Sequence, residues 1–368
     1  MELRIAVDEL KKALYRAQGI VERKTTMPIL ANVLLSATKT GLTLTAFDLD
    51  IGLVSEHNAE VTKPGAVTVP AKYLFDIVQS LSDAHLTLRR LPNHHIEIES
   101  GKSHFRLVGL TADDYPKLPQ AESASWVPVS GPTLLEMVKK TQYAISTDET
   151  RYILNGVFFE SGAGQKSRMV ATDGHRLCLV ERDLPGDFKL KSGVILPRKG
   201  LLELRRLIDE APEAACQLGF AEGSALFRKP GLTMVMRLID GQFPEYQRVI
   251  PKEGEKKVQL PRSRLLDALK RASLLSADKS NAVKVTLLEN TLRITSQNPD
   301  LGEAKEDIEV KYKGGDLTIG FNARYIIDVL GALDTEQVVF ELGDEHSPGV
   351  LHAPDDRSYL AVVMPMRV

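Results

Sequence analysis

The fold follows from three related stretches of sequence: VDELKKALYRAQ (Val7–Gln18), GPTLLEMVKKTQ (Gly131–Gln142) and RSRLLDALKRAS (Arg262–Ser273). In each stretch, apolar or small residues stand at positions i, i+3, i+4 and i+7, which is one face of an α-helix. In the first copy these residues are Leu10, Ala13, Leu14 and Ala17. The sequence therefore predicts the same amphipathic helix three times along the chain.

A second helix is predicted in each copy, after a short β-like run. Pro70 and Pro197 precede the first two of these helices, where a missing N–H costs nothing, and Asn322 can cap the third. Alternating runs such as Leu42–Thr45 and Ile96–Glu99 predict strands with one buried face. We therefore expect an α+β protein with three copies of one module, bounded at residues 1–124, 125–255 and 256–368.

The composition excludes several classes of protein. Of 368 residues, 43% are apolar and 26% are charged, which is typical of a globular chain and not of a disordered or collagen-like one. The sequence contains neither a run of ~20 apolar residues nor a signal peptide, so a cytoplasmic protein with no membrane contact is expected. Cys178 and Cys216 form no CxxC pattern, which argues against a disulfide scaffold or a cysteine zinc site.

Charge is distributed unevenly along the chain. The formal net charge is −2, but the six predicted helical windows together carry +8, which leaves −10 for the remainder. A surface built from these helices would attract phosphate groups. The alternative is that lysine and arginine, as good helix formers, only cover solvated faces. Because aromatic residues are 6% of the chain and no base-reading motif occurs, contact with the nucleic-acid backbone is favoured over base stacking.

The sequence contains few residue patterns that point to catalysis or to metal binding. The stretch GAGQKS (residues 162–167) departs from the phosphate-loop pattern and is interpreted as a hairpin turn. His95, Glu97 and Glu99 are expected on one strand face, where a solvated polar surface is favoured over a metal site. In ATDGHRLCLV (residues 171–180), Asp173 and His175 are a conceivable acid–base pair, but no nucleophile accompanies them. A binding surface or a structural turn is the favoured interpretation there.

The chain ends in an apolar segment, AVVMPMRV. Such an end must pack in a core or line a groove, and flexible methionine side chains suit a groove that accepts several partners. Pro365 cannot donate a ladder hydrogen bond, so the last residues are expected to leave the sheet.

Seven motifs in this sequence resemble those of the bacterial sliding clamp, the beta subunit of DNA polymerase III. They are MPILANVLL (Met27–Leu35), RYILNGVFFE (Arg151–Glu160), VATDGHRL (Val170–Leu177), LPRKG (Leu196–Gly200), DGQFPEYQRVIP (Asp240–Pro251), GFNARYIIDVL (Gly320–Leu330) and VVMPMRV (Val362–Val368). They span the whole chain in the family's order. The resemblance implies three DNA-clamp domains per chain and a head-to-tail homodimer ring, with helices inside and antiparallel sheets outside. It also implies a non-catalytic processivity factor that needs no cofactor or metal and encircles double-stranded DNA without reading its sequence.

The resemblance further implies a peptide-binding pocket. Expected partners are the DNA polymerase III alpha subunit, the clamp-loader delta subunit, and other polymerases and repair proteins, each through a short apolar motif. The implied pocket residues are Arg151, Leu154, Thr172, Gly174, His175, Arg176, Leu177, Pro244, Arg248, Val249, Asn322, Tyr325, Val362, Val363, Met364, Pro365, Met366, Arg367 and Val368. Ser280-Asn281 and the loop with His346 and Pro348 depart from well-known members at the pocket rim.

Two further sets of residues follow from the resemblance. The DNA side of the ring is implied at Lys24, Lys72, Tyr152, Arg198 and Lys199. The dimer seam is implied at Phe105, Leu107, Leu274 and Leu275. Two other functions remain open at this point: a peptide-binding scaffold that does not encircle DNA, and a hydrolase that uses Asp173 and His175.

Overall fold

The structure is a computed structural model of the chain. It describes residues 1–22, 27–119, 124–161, 166–184, 186, 188, 190, 192–221, 223–252, 254–276 and 281–367. Two compact units are present. The first contains residues 1–132, 186–190 and 199–238, and the second contains residues 133–185, 191–198 and 239–368.

All six predicted helices are present. They are α1 (Val7–Ala17), α2 (Ala71–Ser80), α3 (Gly131–Thr141), α4 (Arg198–Asp209), α5 (Arg262–Ser273) and α6 (Ala323–Ala332). The predicted apolar faces are buried, since Leu10, Ala13, Leu14 and Ala17 of α1 are all 0% exposed. Asn322 caps α6 as expected, because its side-chain oxygen accepts a hydrogen bond from the N–H of Arg324 at 2.9 Å.

The strands contain more residues than the helices do, and they are numbered in chain order. The first unit contains β1 (Glu2–Ala6), β2 (Asn32–Thr38), β3 (Gly41–Phe47), β4 (Ile51–His57), β5 (Glu60–Lys63), β6 (Gly65–Pro70), β7 (His85–Arg90), β8 (Ile96–Ser100), β9 (Ser103–Leu107), β10 (Ser125–Val129), β15 (Cys216–Ala221), β16 (Ser224–Lys229) and β17 (Leu232–Arg237). The second contains β11 (Gly156–Ser161), β12 (Lys166–Thr172), β13 (Arg176–Asp183), β14 (Val194–Pro197), β18 (Lys256–Pro261), β19 (Ala282–Leu288), β20 (Thr291–Asn298), β21 (Gly302–Glu309), β22 (Leu317–Asn322), β23 (Gln337–Leu342), β24 (Gly349–Ala353) and β25 (Asp356–Val363).

Each unit contains two antiparallel sheets. The first unit has a five-stranded sheet, ordered β5-β1-β7-β8-β9, and an eight-stranded sheet, ordered β10-β15-β16-β17-β4-β3-β2-β6. The second unit has an eight-stranded sheet, ordered β14-β11-β12-β13-β25-β24-β23-β18, and a four-stranded sheet, ordered β21-β20-β19-β22. Strands from different predicted modules pair directly, β4 with β17 and β13 with β25. The module boundaries at residues 124 and 255 therefore stay a prediction.

Three local expectations have definite outcomes. The strand β25 ends at Val363, before Pro365, as expected. The strands β11 and β12 pair antiparallel on either side of residues 162–165, as a hairpin requires, although the turn itself lies outside the described residues. The acidic strand face contains a histidine that the sequence did not point to. His104 on the neighbouring strand β9 lies near Glu97 and Glu99, whereas His95 precedes β8, which begins at Ile96.

Candidate protein-binding site and nucleic-acid interface

A tight turn between β12 and β13 forms the centre of the candidate protein-binding site. Asp173 organises this turn, because its Oδ1 accepts hydrogen bonds from the backbone N–H groups of His175 at 2.9 Å and Arg176 at 3.1 Å. The Thr172 hydroxyl donates to the carbonyl of Arg176 at 2.7 Å and accepts from the N–H of Gly174 at 3.1 Å. Gly174 has φ = +89°, a conformation that side chains with a Cβ adopt rarely. The turn leaves His175 exposed at its tip.

Arg176 is buried beneath the turn. Its guanidinium donates to Asp173 Oδ2 at 3.1 Å, to Asp328 Oδ2 at 2.6 Å and to the carbonyl of Tyr143 at 2.6 Å. Its Cζ lies 4.6 Å from the ring centroid of Tyr325 and 5.3 Å from that of Tyr143. Burial disfavours the charge of Arg176, but the hydrogen bond to Asp328 and the charges of Asp173, Asp328 and Cys178 together hold the pKa of Arg176 above its ordinary value.

Apolar side chains form the base of the site. Leu154, Leu177 and Val362, which come from three separate segments, belong to one buried cluster. The other buried members of this cluster are Val170, Leu179, Ile195, Phe243 and Tyr246. The base is thus an extension of the hydrophobic core, which gives it a fixed shape.

The C-terminal segment runs along one side of the turn. Val362 and Val363 are buried in β25, whereas Met364 is 39% exposed. The N–H of Met364 donates to the carbonyl of His175 at 2.8 Å, and the N–H of Met366 donates to the carbonyl of Gly320 at 2.9 Å. These bonds hold the segment beside the site after it has left the sheet. Val368 lies outside the described residues.

The loop with Pro244, Arg248 and Val249 forms another side, and all three of these residues are exposed. Tyr246 fixes this loop. Its ring packs in the apolar cluster, and its hydroxyl donates to Glu160 Oε1 at 2.5 Å and accepts from Arg168 at 2.8 Å. Burial raises the pKa of Tyr246 to about 12, so the hydroxyl keeps its proton at neutral pH.

Helix α6 and the segment before β11 complete the site. The rings of Tyr325 and His175 lie 6.3 Å apart, and Asn322 stands at the N-terminus of the same helix. Arg151 is exposed, and its Nη1 lies 3.5 Å from the carbonyl oxygen of Asp173. These contacts join the turn to α6, to the segment before β11 and to the C-terminal segment.

A groove of about 490 Å³ lies beside the C-terminal segment. It is lined by Lys284, Thr318, Gly320, Glu345, His346, Pro365, Met366 and Arg367. His346 is almost fully exposed, with 88% of its side chain open to solvent. Ser280 lies outside the described residues, and Asn281 has φ = +46° at the start of β19.

The sequence interpretation missed several residues that hold this site. Tyr143, Cys178 and Tyr359 form a polar cluster below it, in which the Cys178 thiol donates to the Tyr143 hydroxyl at 2.5 Å and the two tyrosine hydroxyls lie 2.7 Å apart. Burial raises the pKa of Cys178 to about 12, so this thiol is protonated at neutral pH. Tyr246 and Asp328 were also missed. The DGQFPEYQRVIP and GFNARYIIDVL motifs contain these two residues, but a linear motif does not show which of its members face the core.

Asp173 and His175 do not form an acid–base pair in this geometry. The Asp173 carboxylate accepts from the backbone N–H of His175, and its other oxygen accepts from Arg176. Both carboxylate oxygens therefore build the turn, which favours the structural-turn interpretation over a hydrolase.

Some of the implied DNA-contacting residues are exposed, and another is already bonded within the chain. Lys72 on α2, Arg198 at the start of α4 and Tyr152 are exposed. Lys199 is instead paired: its ammonium group bonds the buried carboxylate of Asp48 and donates to the carbonyl of Ile20 at 3.2 Å. Burial lowers the pKa of Lys199, but the hydrogen bonds and charges of Asp48 and Glu22 together raise it by more, so the net shift is upward. Lys24 lies outside the described residues.

Other basic residues of the helices also make internal bonds. Arg16 of α1 pairs with Glu210 at 2.8 Å. Arg206 of α4 pairs with Glu203 and donates to the backbone carbonyls of Tyr15 and Arg16. Part of the predicted positive charge of the helices therefore holds α1 and α4 together and is not directed to a ligand.

The implied dimer residues lie at or near sheet edges. Phe105 and Leu107 are half-buried on β9, the edge strand of the five-stranded sheet. Leu274 follows α5 and is 76% exposed, and Leu275 beside it is half-buried. The strand β21 is likewise an edge of its four-stranded sheet.

Three family models match this chain in succession. They describe the N-terminal domain (residues 1–119), the central domain (residues 129–245) and the C-terminal domain (residues 247–367) of the DNA polymerase III beta subunit. The chain belongs to the DNA polymerase III beta subunit family. The expectation of three clamp domains in an α+β fold is thereby confirmed.

Similar proteins agree with the family models. The chain is 37% identical to the beta sliding clamp of Pseudomonas aeruginosa and 38% identical to that of Caulobacter vibrioides, and in both comparisons all of each protein is covered. A crystal structure of the P. aeruginosa clamp bound to griselimycin has a TM-score of 0.94 at 36% identity, with both chains fully covered. The Bacillus subtilis clamp has a TM-score of 0.95 at 28% identity, with 100% of this chain and 99% of that chain covered.

This member of the family functions as a DNA sliding clamp in replication and is not an enzyme. The hydrolase alternative is therefore wrong, in agreement with the bonds that Asp173 makes within its turn. Within the described residues, no helix combines the length and the apolar character that crossing a membrane requires.

Proposed function

We propose that two copies of this chain join head to tail into a ring around double-stranded DNA. The support is the position of the implied seam residues: Phe105 and Leu107 lie on the edge strand β9, and Leu274 is largely exposed. Pairing of two edge strands from different copies would satisfy their free N–H and C=O groups and cover these apolar side chains. Within each copy, the proposal keeps three domains bounded at residues 1–124, 125–255 and 256–368, in the cytoplasm where DNA is replicated.

Two measurements test the ring. Analytical ultracentrifugation should give a dimer, and Leu274→Asp should shift it to monomer, because a buried unpaired carboxylate opposes association. Protein loaded on closed circular DNA should stay bound and should be released when that DNA is cut. A wild-type monomer, or equal retention on circular and linear DNA, would contradict the ring.

Contact with DNA is assigned to Lys72, Tyr152 and Arg198, which are exposed, and to Lys24 and Lys199 on the resemblance alone. Phosphate contacts of this kind carry no sequence information and allow sliding. A double variant, Lys72→Glu with Arg198→Glu, should lower retention on circular DNA and weaken its dependence on salt. Lys313→Glu, at an exposed lysine in the loop before β22, is the matched control. Unchanged retention in the double variant would favour a scaffold that does not encircle DNA.

The protein-binding site is proposed to receive short apolar motifs of the DNA polymerase III alpha subunit, the clamp-loader delta subunit, and other polymerases and repair proteins. One observation carries this proposal: Leu154, Leu177, Tyr246 and Val362, from four separate segments of the second unit, meet in one apolar cluster. The exposed side chain of Met364 follows this cluster in the C-terminal segment. Methionine adapts to different partners because its side chain is flexible and polarizable. Griselimycin, which the P. aeruginosa clamp binds, is proposed to occupy the same site in this chain.

Removal of residues Met364–Val368 tests the site. Because β25 ends at Val363, the deletion leaves the strand complete. We expect weaker binding of the organism's own alpha subunit and of griselimycin, with the dimer intact. Undiminished affinity, or dissociation of the dimer, would contradict the assignment of the site.

A further inference from the structure

The strongest unassigned feature of the molecule is the carboxylate of Asp328 on α6. It accepts a hydrogen bond of 2.6 Å from Arg176, and the buried Arg176 guanidinium also lies within 5.3 Å of the ring centroids of Tyr325 and Tyr143. Each of the three guanidinium nitrogens of Arg176 donates to an acceptor within the chain. These bonds indicate that Arg176 acts by holding the site together, and that its charge is already used before any partner binds.

A continuous series of polar contacts leads from Asp328 to the surface of the site. Asp328 holds Arg176, Arg176 bonds Asp173, and Asp173 accepts from the backbone N–H of His175. The carbonyl of His175 then accepts from the N–H of Met364. The same series of bonds therefore holds both the exposed tip of the turn at His175 and the backbone of the exposed Met364.

This support joins two segments that are distant in sequence. Arg176 lies in the range matched by the central-domain model and Asp328 in the range matched by the C-terminal-domain model. The same two ranges meet again below, where Tyr143 and Tyr359 share a hydrogen bond of 2.7 Å. Charge-assisted hydrogen bonds in a shielded position are strong and directional, so they can fix the relative placement of His175 and Tyr325.

We propose that Asp328 is a positioning residue of the protein-binding site, fixing the turn at Asp173–His175 and the C-terminal segment through Arg176. This inference rests on the proposed function of that site. Asp328→Asn keeps the size of the side chain but removes its charge, so Arg176 loses its shortest ion pair while the core packing is unchanged.

A matched control exists on the same strand. Arg182, near the other end of β13, pairs with Asp356 at 3.2 Å and also contacts Glu136 and Ser358. Asp356→Asn therefore removes the same kind of charge from the same kind of ion pair, away from the site. We expect Asp328→Asn to raise the Kd for the alpha subunit about tenfold, equivalent to ~1.4 kcal/mol, and Asp356→Asn to leave it within about twofold.

A second measurement needs no ligand. In protein labelled with [15N]methionine, which occurs at 8 positions, the Met364 amide signal should shift and exchange with solvent faster in Asp328→Asn than in wild type. The signal should be unchanged in Asp356→Asn. If Asp328→Asn does not fold, Arg176→Lys replaces it, because the compact lysine ammonium lacks the wide planar fork with which Arg176 bonds its three acceptors. It should move the Met364 signal in the same way.

The two measurements separate the two proposals. If the wild-type chain binds neither the alpha subunit nor griselimycin, the proposed site is wrong, whereas the Met364 signal still tests the role of Asp328. An unchanged Met364 amide in both Asp328→Asn and Arg176→Lys would overturn that role. Equal effects of Asp328→Asn and Asp356→Asn on affinity and on the amide signal would also overturn it, because a general loss of stability would then explain both.

Discussion

Lys199 provides the sharpest test of which basic residues are structural. Its partner Asp48 has only 2% of its side chain exposed. The Oδ1 of Asp48 accepts from the backbone N–H groups of Asp50 at 2.9 Å and Ile51 at 2.5 Å, and the Oδ2 bonds the Lys199 ammonium group. Lys199→Met keeps the length of the side chain and leaves the buried carboxylate without its cation.

The expected loss of stability follows from this geometry. Removing one member of a fully buried ion pair costs about 3–5 kcal/mol. The Lys199 side chain is 40% exposed, so water screens the pair, and two backbone N–H groups still bond the carboxylate. We therefore expect the free energy of unfolding to fall by about 2 kcal/mol, less than for a fully buried pair. For a unit of this size, that corresponds to a melting temperature about 4–8 °C lower.

Differential scanning calorimetry of Lys199→Met checks this value. Lys72→Met is the matched control, because Lys72 is an exposed lysine on α2 in the same unit; its melting temperature should stay close to that of wild type. Retention on circular DNA, by contrast, should fall more in Lys72→Met. The reasoning is refuted if Lys199→Met melts at the wild-type temperature while losing DNA retention.

The pH dependence of the difference in melting temperature between wild type and Lys199→Met gives a second check. The folded-state pKa of Lys199 lies above its ordinary value of 10.5, since the hydrogen bonds and charges of Asp48 and Glu22 together outweigh burial. The stabilisation by the cation is therefore complete below 10.5 and is lost as pH rises through the higher folded-state value. The melting-temperature gap between wild type and Lys199→Met should be constant at neutral pH and should shrink in strongly alkaline solution.

Three further predictions concern the protein-binding site. Tyr246→Phe removes the hydroxyl bonded to Glu160 but keeps the ring in the apolar cluster. We expect the free energy of unfolding measured by calorimetry to fall by about 1–2 kcal/mol and binding of the alpha subunit to weaken. Unchanged values for both would count against the role of Tyr246 in fixing its loop. Gly174→Ala places a Cβ on a residue with φ = +89°, 2.8 Å from Arg151 Nη1. The free energy of unfolding measured with denaturant should therefore fall by about 1 kcal/mol. A midpoint equal to that of wild type would show that the turn relaxes without strain. Cys178, buried and with a pKa of about 12, should not react with a thiol reagent at pH 8 until the protein unfolds; rapid labelling of the folded protein would contradict its buried position.

Periodicity in the sequence was sufficient to predict the regular elements. All six helices and the alternating strands are present because a repeating apolar face must be buried, and that requirement is local. The cap at Asn322 and the end of β25 before Pro365 were predictable for the same reason: each depends on the chemistry of one residue and its near neighbours.

The bonds between residues that are distant in sequence were not predictable from the sequence. Lys199 was assigned to the DNA side through the resemblance, but its bond with Asp48 joins residues 151 positions apart. Asp328 and Arg176 are 152 positions apart, and Tyr143 and Tyr359 are 216 apart. A pattern of residue types does not contain such pairings, because they arise only when the strands are in register. The site assignments themselves came from the resemblance, and they stay proposals until binding is measured.

The direct pairing of β4 with β17 and of β13 with β25 has a consequence for dissecting the chain. Expressed by itself, the predicted middle module would lose the partner of β17 on one side and the partner of β13 on the other. The strands β17 and β13, which are central in the intact sheets, would then have free N–H and C=O groups along one side and could pair with strands from other molecules. A fragment cut at residues 124 and 255 should therefore aggregate, and studies of single modules need cut points that keep each strand with its neighbour.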